Sequence, residues 1–315
     1  MKGGNIGLKE PRGRLAACTG AIRAEGCEVW GVLNVTPDSF SDGGLYLNEE
    51  TAVARGRQML DQGADVIDVG GESSRPAGTV YGAGAQGVTA EDEARRVVPV
   101  VRALKQFGAR ISIDTVKADV ARQAIEAGAG IVNDVSCGAS DELMDVAAET
   151  GVELVLMHTR GRGEVTGPNV EYADVVREVI DELLKAVERA VKAGVSRGRI
   201  WIDPGIGFAK TPRQSLELLA RVDELAAAGY PVLVGPSRKS FVAEAAPRRD
   251  GARPAPGERL GGTAVAVAAA VLGGARGVRV HDVELMRQAV MVAQSMLEAR
   301  SRRKDRPAAE KKDFE

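Results

Sequence analysis

Eight short runs of apolar, largely β-branched residues recur along the chain. Each ends in polar or charged residues and is followed by a stretch with helical spacing. They are VWGVLNVT from 29, DVIDVGGE from 65, RISIDT from 110, GIVNDV from 130, ELVLMH from 153, RIWIDPG from 199, PVLVGPS from 231 and GVRVHD from 277. Buried strands alternating with helices predict a parallel α/β arrangement, and eight such units predict a closed (β/α)8 TIM barrel in a single domain. In that fold the strand C-termini open on one face, where active sites lie. The polar residues that end the runs are therefore gathered on one rim. They are Asn34, Glu72, Asp114, Asn133, Asp134, His158, Asp203, Ser237, Arg238, Lys239, Arg279 and His281.

The same pattern sets the borders. Residues 1–28 form an extension ahead of the first strand, a candidate cap for the barrel floor, and the barrel is expected over 29–299. The tail from 300 to 315 mixes both charge signs with little apolar content and is expected to be disordered. Helices are expected over about 49–62, 116–127, 140–150, 172–193 and 260–273, three of them stopping at Gly128, Gly151 and Gly194. Another starts at Thr211-Pro212, a cap residue followed by a first-turn proline. The Pro/Arg-rich stretch 246–259 is expected as an exposed loop. A loop at 34–44 follows strand one, and a long segment at 71–93 follows strand two, where the glycines and Pro76 forbid regular structure. Both leave strand C-termini, which is where a closing lid has to be attached.

Composition narrows the function classes. A chain of 315 residues is long enough for one barrel of about 250 residues plus terminal extras. A net charge of −2 gives no footprint for nucleic acid or an anionic membrane, and 3% aromatic content rules out a broad stacking platform. No apolar stretch is long enough for a membrane span, and the N-terminus lacks the apolar core of a secretory signal. Cys18, Cys27 and Cys137 have no metal-ligand spacing, and their odd number argues for reduced thiols and a cytoplasmic location.

The rim divides by chemistry. Asp114, Asn133 and Asp203 offer acceptors and one amide, which match a flat heterocycle with adjacent N–H and C=O groups. A buried site of that kind selects strongly, because a wrong ligand leaves polar groups unpaired. Singly, Asp114 has a lesser reading as a helix cap and Asp203 as a turn former before Pro204. Arg75, Lys239, Arg279 and His281 are cationic or able to become so, and together suit an anionic leaving group such as diphosphate. Arg75 alone is as readily a solvated loop charge. Asn34 offers a neutral oxygen to a hard cation, and Mg²⁺ needs only one or two protein ligands when phosphate and water complete its shell. No HExxH, GxSxG or GxxxxGK[ST] motif is present, so a zincin, a serine hydrolase of the elbow type and a P-loop enzyme are disfavoured.

Seven ordered blocks carry a further signal. GVLNVTPDSFSDGG at 31–44, GADVIDVGGESSRP at 63–76, ISIDT at 111–115, IVNDV at 131–135, WIDPGIGFAKT at 201–211, VLVGPSRKSF at 232–241 and RLGGTAVAVAAAVLGGARGVRVHDV at 259–283 closely resemble dihydropteroate synthase. The resemblance implies condensation of 6-hydroxymethyl-7,8-dihydropterin diphosphate with 4-aminobenzoate, with Mg²⁺ as cofactor, small molecules as the partners and a homodimer as the assembly. It implies that Asp114, Asn133, Asp203, Lys239 and Arg279 hold the pterin. Asn34, Arg75, Arg279 and His281 would surround diphosphate, with Asn34 on the metal. Phe40, Ser74, Arg75, Pro76, Ser237 and Lys239 would border 4-aminobenzoate, and Lys239, Arg75 and Asp114 would form the catalytic group. A pterin-binding methyltransferase barrel shares the fold and the Asp/Asn group, but TPDSFSDGG and SRKS fit the synthase pattern. Three departures stand out. After strand five the family reads HMQGxP where this chain has HTRGRGEVTGPN. Extra glycine-rich residues fill 79–87, and Pro236 stands where the family often has Met.

Overall fold

The computed structural model describes residues 26–36, 49–72, 87–161 and 170–304. Eight parallel strands lie in the order β6-β5-β4-β3-β2-β1-β8-β7. They are β1 Glu28–Asn34, β2 Val66–Gly70, β3 Ile111–Asp114, β4 Ile131–Asp134, β5 Glu153–Met157, β6 Ile200–Asp203, β7 Leu233–Val234 and β8 Gly277–Val280. The ring closes between β6 and β7 through a single bridge, Ile202 to Val232, with Ile202 N donating to Pro231 O at 3.0 Å. This is the expected TIM barrel.

Strand parity decides which side chains line the interior. Trp30, Val66, Ile131, Val155, Trp201 and Leu233 form a core of their own inside the barrel, with the two indoles edge-to-face at 5.5 Å. Their neighbours along the chain, such as Val29, Ile67, Val132, Leu154, Ile202 and Val234, face outward into a second core against the helices. Two residues further along each strand the side chain points inward again, one layer nearer the rim. That step takes Val66 to Asp68, Ile131 to Asn133 and Trp201 to Asp203. Below the indoles, Glu28 and Glu153 accept from Trp30 Nε1 (3.0 Å) and Trp201 Nε1 (2.7 Å). Arg110 bridges those two carboxylates at 2.6 and 2.8 Å, so a charge cluster closes the floor. The cap expected from residues 1–28 lies outside the described residues, save for 26–28.

The helices are α1 Glu49–Asp61, α2 Ala90–Gln106, α3 Ala118–Ala127, α4 Asp141–Thr150, α5 Val175–Lys192, α6 Pro212–Ala220, α7 Val222–Ala226, α8 Ser240–Ala245, α9 Leu260–Leu272 and α10 Val283–Lys304. The glycine stops are observed, with φ of 120° at Gly128, 65° at Gly151 and 107° at Gly194. Thr211 caps α6 in a capping box with Gln214, as its spacing predicts. Helix α5 begins at 175 rather than 172, because Asp174 accepts from the backbone N–H groups of Val176 and Arg177 and caps it there. Helix α2 begins at Ala90, inside the segment expected to be irregular to 93, because the Thr89 side chain accepts from Asp92 N and caps it. The tail requires a correction. Residues 300–304 are helical, since α10 runs on to Lys304. The helix is carried into the tail because α10 packs against α9 and β1, and packing supplies most of a helix's stability. The stretch 246–259 is largely exposed, as expected, but contains a short turn of helix at Pro256–Glu258.

Candidate active site

Strand parity and the ends of β1, β3, β4, β6 and β8 bring one set of polar side chains into the barrel mouth. Arg279, 8% exposed on β8, lies at its centre. Its Nη1 donates to Asp68 Oδ2 at 3.0 Å and to Asp114 Oδ2 at 3.4 Å. Burial works against this charge, but Asp68, Asp114 and Asp203 outweigh it and hold the guanidinium charged. Asn133, fully buried, donates from Nδ2 to Asp68 Oδ2 at 3.2 Å. Asn133 Oδ1, Asp68 Oδ1 and Ser112 Oγ have no partner among the described residues. Buried polar atoms of this kind call for a ligand or solvent to complete them.

Asp203 ends β6 and accepts from Gly205 N at 2.7 Å. Its turn-forming role is thus real, yet it also belongs to the mouth. Burial raises its pKa, while Arg279, Lys239 and Lys210 pull it back down. The other local reading, Asp114 as the cap of α3, is not what the structure shows. The N-cap position of α3 is Lys117, without a side-chain cap, and Asp114 turns to Arg279 instead.

Lys239 stands at the N-terminus of α8 with its Nζ 4.0 Å from the centroid of the Phe208 ring. Burial, followed by repulsion from Arg279, lowers its pKa to about 7, against the pull of Asp203 and Asp114. The segment before it is clamped. Arg238 adopts a left-handed φ of 59° and pairs with Asp282 at 2.5 and 2.9 Å. The Ser237 hydroxyl lies 3.2 Å from His281 N and 3.0 Å from His281 Nδ1. Burial and the neighbouring Arg238, Lys239 and Arg279 lower the His281 pKa to about 4, so this imidazole is neutral near pH 7.

Asn34, exposed, ends β1 beside Gly70. A Cβ on Gly70 would stand 3.7 Å from both Asn34 Oδ1 and Asp114 Oδ2, an ordinary contact distance, so these two groups flank the same point of the rim. Other rim residues are not part of this set. Asp134 accepts from Ser136 N and Gly138 N and shapes the turn after β4. Glu72 and the buried Glu93 both receive Lys117 Nζ, which ties the end of β2 to α2 and α3. Phe40, Ser74, Arg75 and Pro76 lie outside the described residues.

A family model described as pterin binding enzyme matches residues 30–281. Dihydropteroate synthase of Mycobacterium leprae is 48% identical over 276 residues, covering 86% of this chain and 94% of that protein. The chain belongs to the dihydropteroate synthase family. The structure of Xanthomonas albilineans dihydropteroate synthase with 4-aminobenzoic acid superposes with a TM-score of 0.78 at 39% identity, over 89% of this chain and 97% of that one. The same bacterial synthase with 7,8-dihydropteroate gives 0.75 at 37% identity, with the same coverage.

Within that family frame, two buried residues escaped the motif reading. Asp68 sits mid-strand in DVIDVGGE, and only inward parity from Val66 marks it as a rim residue. Lys210, 1% exposed, follows the β6 run and looks like a helix-flanking charge in sequence. His158 was legible as a strand end, but it faces away from the Arg279 cluster. Its Nε2 is 2.9 Å from Glu182 Oε2, and its Nδ1 is 2.8 Å from Lys210 Nζ.

Proposed function

We propose that this chain joins 6-hydroxymethyl-7,8-dihydropterin diphosphate to 4-aminobenzoate, giving 7,8-dihydropteroate and diphosphate. What carries the reading is the barrel mouth itself, where Asp114, Asn133 and Asp203 converge with Lys239 and Arg279 in a chain of the dihydropteroate synthase family. Asp114, Asn133 and Asp203 take the pyrimidinone edge of the pterin, whose donors suit their acceptors. Lys239 and Arg279 lie along it and face the diphosphate, with Asn34, His281 and Arg75 completing that end. Neutral His281, held through Nδ1 by Ser237, offers a hydrogen bond from Nε2 rather than a charge. Ser237 and Lys239 border the 4-aminobenzoate position, together with Phe40, Ser74, Arg75 and Pro76 from the two loops.

The chemistry needs no strong base. Arg279 and Lys239 stabilise negative charge as the C–O bond to diphosphate breaks, leaving a cationic pterin methylene. The neutral arylamine nitrogen attacks that carbon, the C–N bond forms and the nitrogen releases its proton. By the family resemblance, loops 34–44 and 72–78, which follow β1 and β2 in sequence, are expected to exclude water from the cation. Mg²⁺ fits this site as a substrate-held ion. The described residues contain no cluster of three His, Cys, Asp or Glu able to cage a metal, and Asn34 presents a neutral amide oxygen at the rim. When bound there, the ion would supply positive charge to the leaving diphosphate.

The assembly we propose is a homodimer through α9 and α10. Leu285, Val292 and Met296 recur on α10 at i, i+7 and i+11 and are 48%, 61% and 50% exposed, and Val265 on α9 is 71% exposed. We place the protein in the cytoplasm, supported by the free thiols of Cys27 and Cys137. No helix among the described residues is long and apolar enough to cross a membrane.

The test is direct. Purified protein with the pterin diphosphate, 4-aminobenzoate and Mg²⁺ is expected to release dihydropteroate and diphosphate in equal amounts. Tight pterin binding with no product would instead mark a non-catalytic pterin-binding barrel. Asp203→Ala and Lys239→Ala should each lose pterin affinity in a titration. Arg75→Ala should mainly reduce turnover and 4-aminobenzoate use, and a defect confined to pterin binding would contradict its place on the loop.

A further inference from the structure

The loop from Pro204 to Lys210 passes through left-handed backbone three times, at Gly205 (φ 65°), Gly207 (φ 78°) and Ala209 (φ 47°). Ala209 carries a Cβ, so its conformation is strained and persists only if its surroundings impose it. Two contacts do so. Tyr172 Oη donates to Ala209 O at 3.0 Å. Lys210, buried, folds its chain back over the loop. Its Nζ lies 2.9 Å from Phe208 O, 2.8 Å from His158 Nδ1 and 3.4 Å from His158 O. Three acceptors match the three N–H groups of an ammonium.

These two contacts belong to one closed circuit. With Lys210 as donor, His158 Nδ1 accepts, so its proton is on Nε2 and points to Glu182 Oε2 at 2.9 Å. Glu182 is gripped by Arg160, with Nε at 3.0 Å and Nη2 at 2.5 Å from Oε1. The Arg160 guanidinium stacks 3.8 Å over the Tyr172 ring, and Tyr172 returns to Ala209. Arg160 is the residue at which the family pattern HMQG reads Gln, so this chain fills the departure with a bidentate cation. On its other side the loop meets the active site. Gly205 N donates to Asp203 Oδ1 at 2.7 Å, and the Phe208 ring supports Lys239 Nζ at 4.0 Å.

We propose that Lys210 is a positioning residue for the condensation: through His158, Glu182, Arg160 and Tyr172 it fixes the Pro204–Lys210 loop and thereby sets where Asp203 and Lys239 meet the pterin. This rests on the reading of Asp203 and Lys239 as pterin ligands. Nothing in the circuit touches substrate.

Pterin diphosphate titrations of the full chain test it, with ¹⁵N NMR of the imidazoles as a second reading. The chain has two histidines, so His158 is identified by its absence in His158→Asn. Lys210→Met is expected to weaken pterin binding about tenfold or more, as misplacement of a site by a fraction of an ångström does. Its His158 resonances should move, because Nδ1 loses its donor. His158→Asn, whose amide oxygen replaces the Nδ1 acceptor, should retain more affinity than His158→Leu. Should Lys210→Met fail to fold, Glu182→Ala, at a partly exposed position, is expected to weaken binding by about threefold and shift the Nε2 resonance. Folded variants that melt lower yet bind within twofold of the parent would overturn the proposal, as would His158 resonances that ignore Lys210. If Asp203→Ala also left binding unchanged, the pterin-ligand reading itself would be wrong. If Asp203→Ala abolished binding and neither circuit variant altered it, only the positioning role would fall.

Discussion

At the scale of single residues, Asp68 organises the barrel mouth without being a rim residue in the sequence. It receives both Arg279 and Asn133, at 3.0 and 3.2 Å, through one oxygen. Asp68→Ala leaves a buried guanidinium short of a partner, and removing one member of such a pair costs about 3–5 kcal/mol. Urea unfolding should show that loss, together with weaker pterin binding, whereas Asp68→Asn should recover much of both. The histidines make a pH prediction. Burial, followed by repulsion from Lys210, lowers the His158 pKa from 6.5 to about 4. The unfolded chain therefore binds this proton first, and stability falls as pH drops from about 6.5 through about 4, by up to about 3 kcal/mol for this group. Urea midpoints at pH 7 and pH 4 should show a smaller difference in His158→Asn than in the parent, and an equal difference would refute the assignment. Most chemistry-bearing residues were legible because they end strands. Asp114, Asn133, Asp203 and Arg279 all meet in space. Asp134 was not separable from Asn133 by composition, since parity alone sends one inward and its neighbour to a turn.

At the scale of elements, the strands were readable because each is mostly apolar and buried, and the long helices because glycines end them. What stayed hidden was short or context-bound. Helices α7 and α8, five and six residues long, have too few turns to show a period. Strand β7 forms a ladder of only two residues, although its sequence suggests a longer run. The start of α6 was fully legible, and its role extends beyond the helix. Thr211 O accepts from Ser215 Oγ at 2.9 Å, and Ser215 Oγ accepts from Gly207 N at 3.2 Å within the strained loop. Thr211→Ala removes the capping box and should cost about 1 kcal/mol in thermal unfolding. Because the backbone carbonyl of residue 211 remains, pterin affinity should change little in the same variant. A large affinity loss would show that the cap, rather than the Lys210 circuit, holds the loop.

At the scale of the whole molecule, the apolar stripe of α10 is the feature that a solitary barrel does not use. Val292→Glu places a charge at its centre and is expected to shift the protein from dimer to monomer in sedimentation at micromolar concentration, with the barrel still folded. Dimers that persist would move the interface elsewhere. The barrel has one joint unlike the others. Every other neighbouring pair of strands shares a ladder, while β6 and β7 share one bridge. Amide exchange is therefore expected to be faster for Val232 and Leu233 than for the β1–β2 pair. Asp203 closes one side of this joint and Lys239 follows the other. A compound gripped by both acts as a rivet across the weakest line of the cylinder. Pterin-like inhibitors should thus raise the melting point only as far as their affinity dictates, but should also slow amide exchange at Val232 and Leu233 along the joint. Compounds confined to the 4-aminobenzoate end, at matched saturation, should raise the melting point equally yet leave exchange at the joint fast, which makes local exchange the readout for one half of the active site.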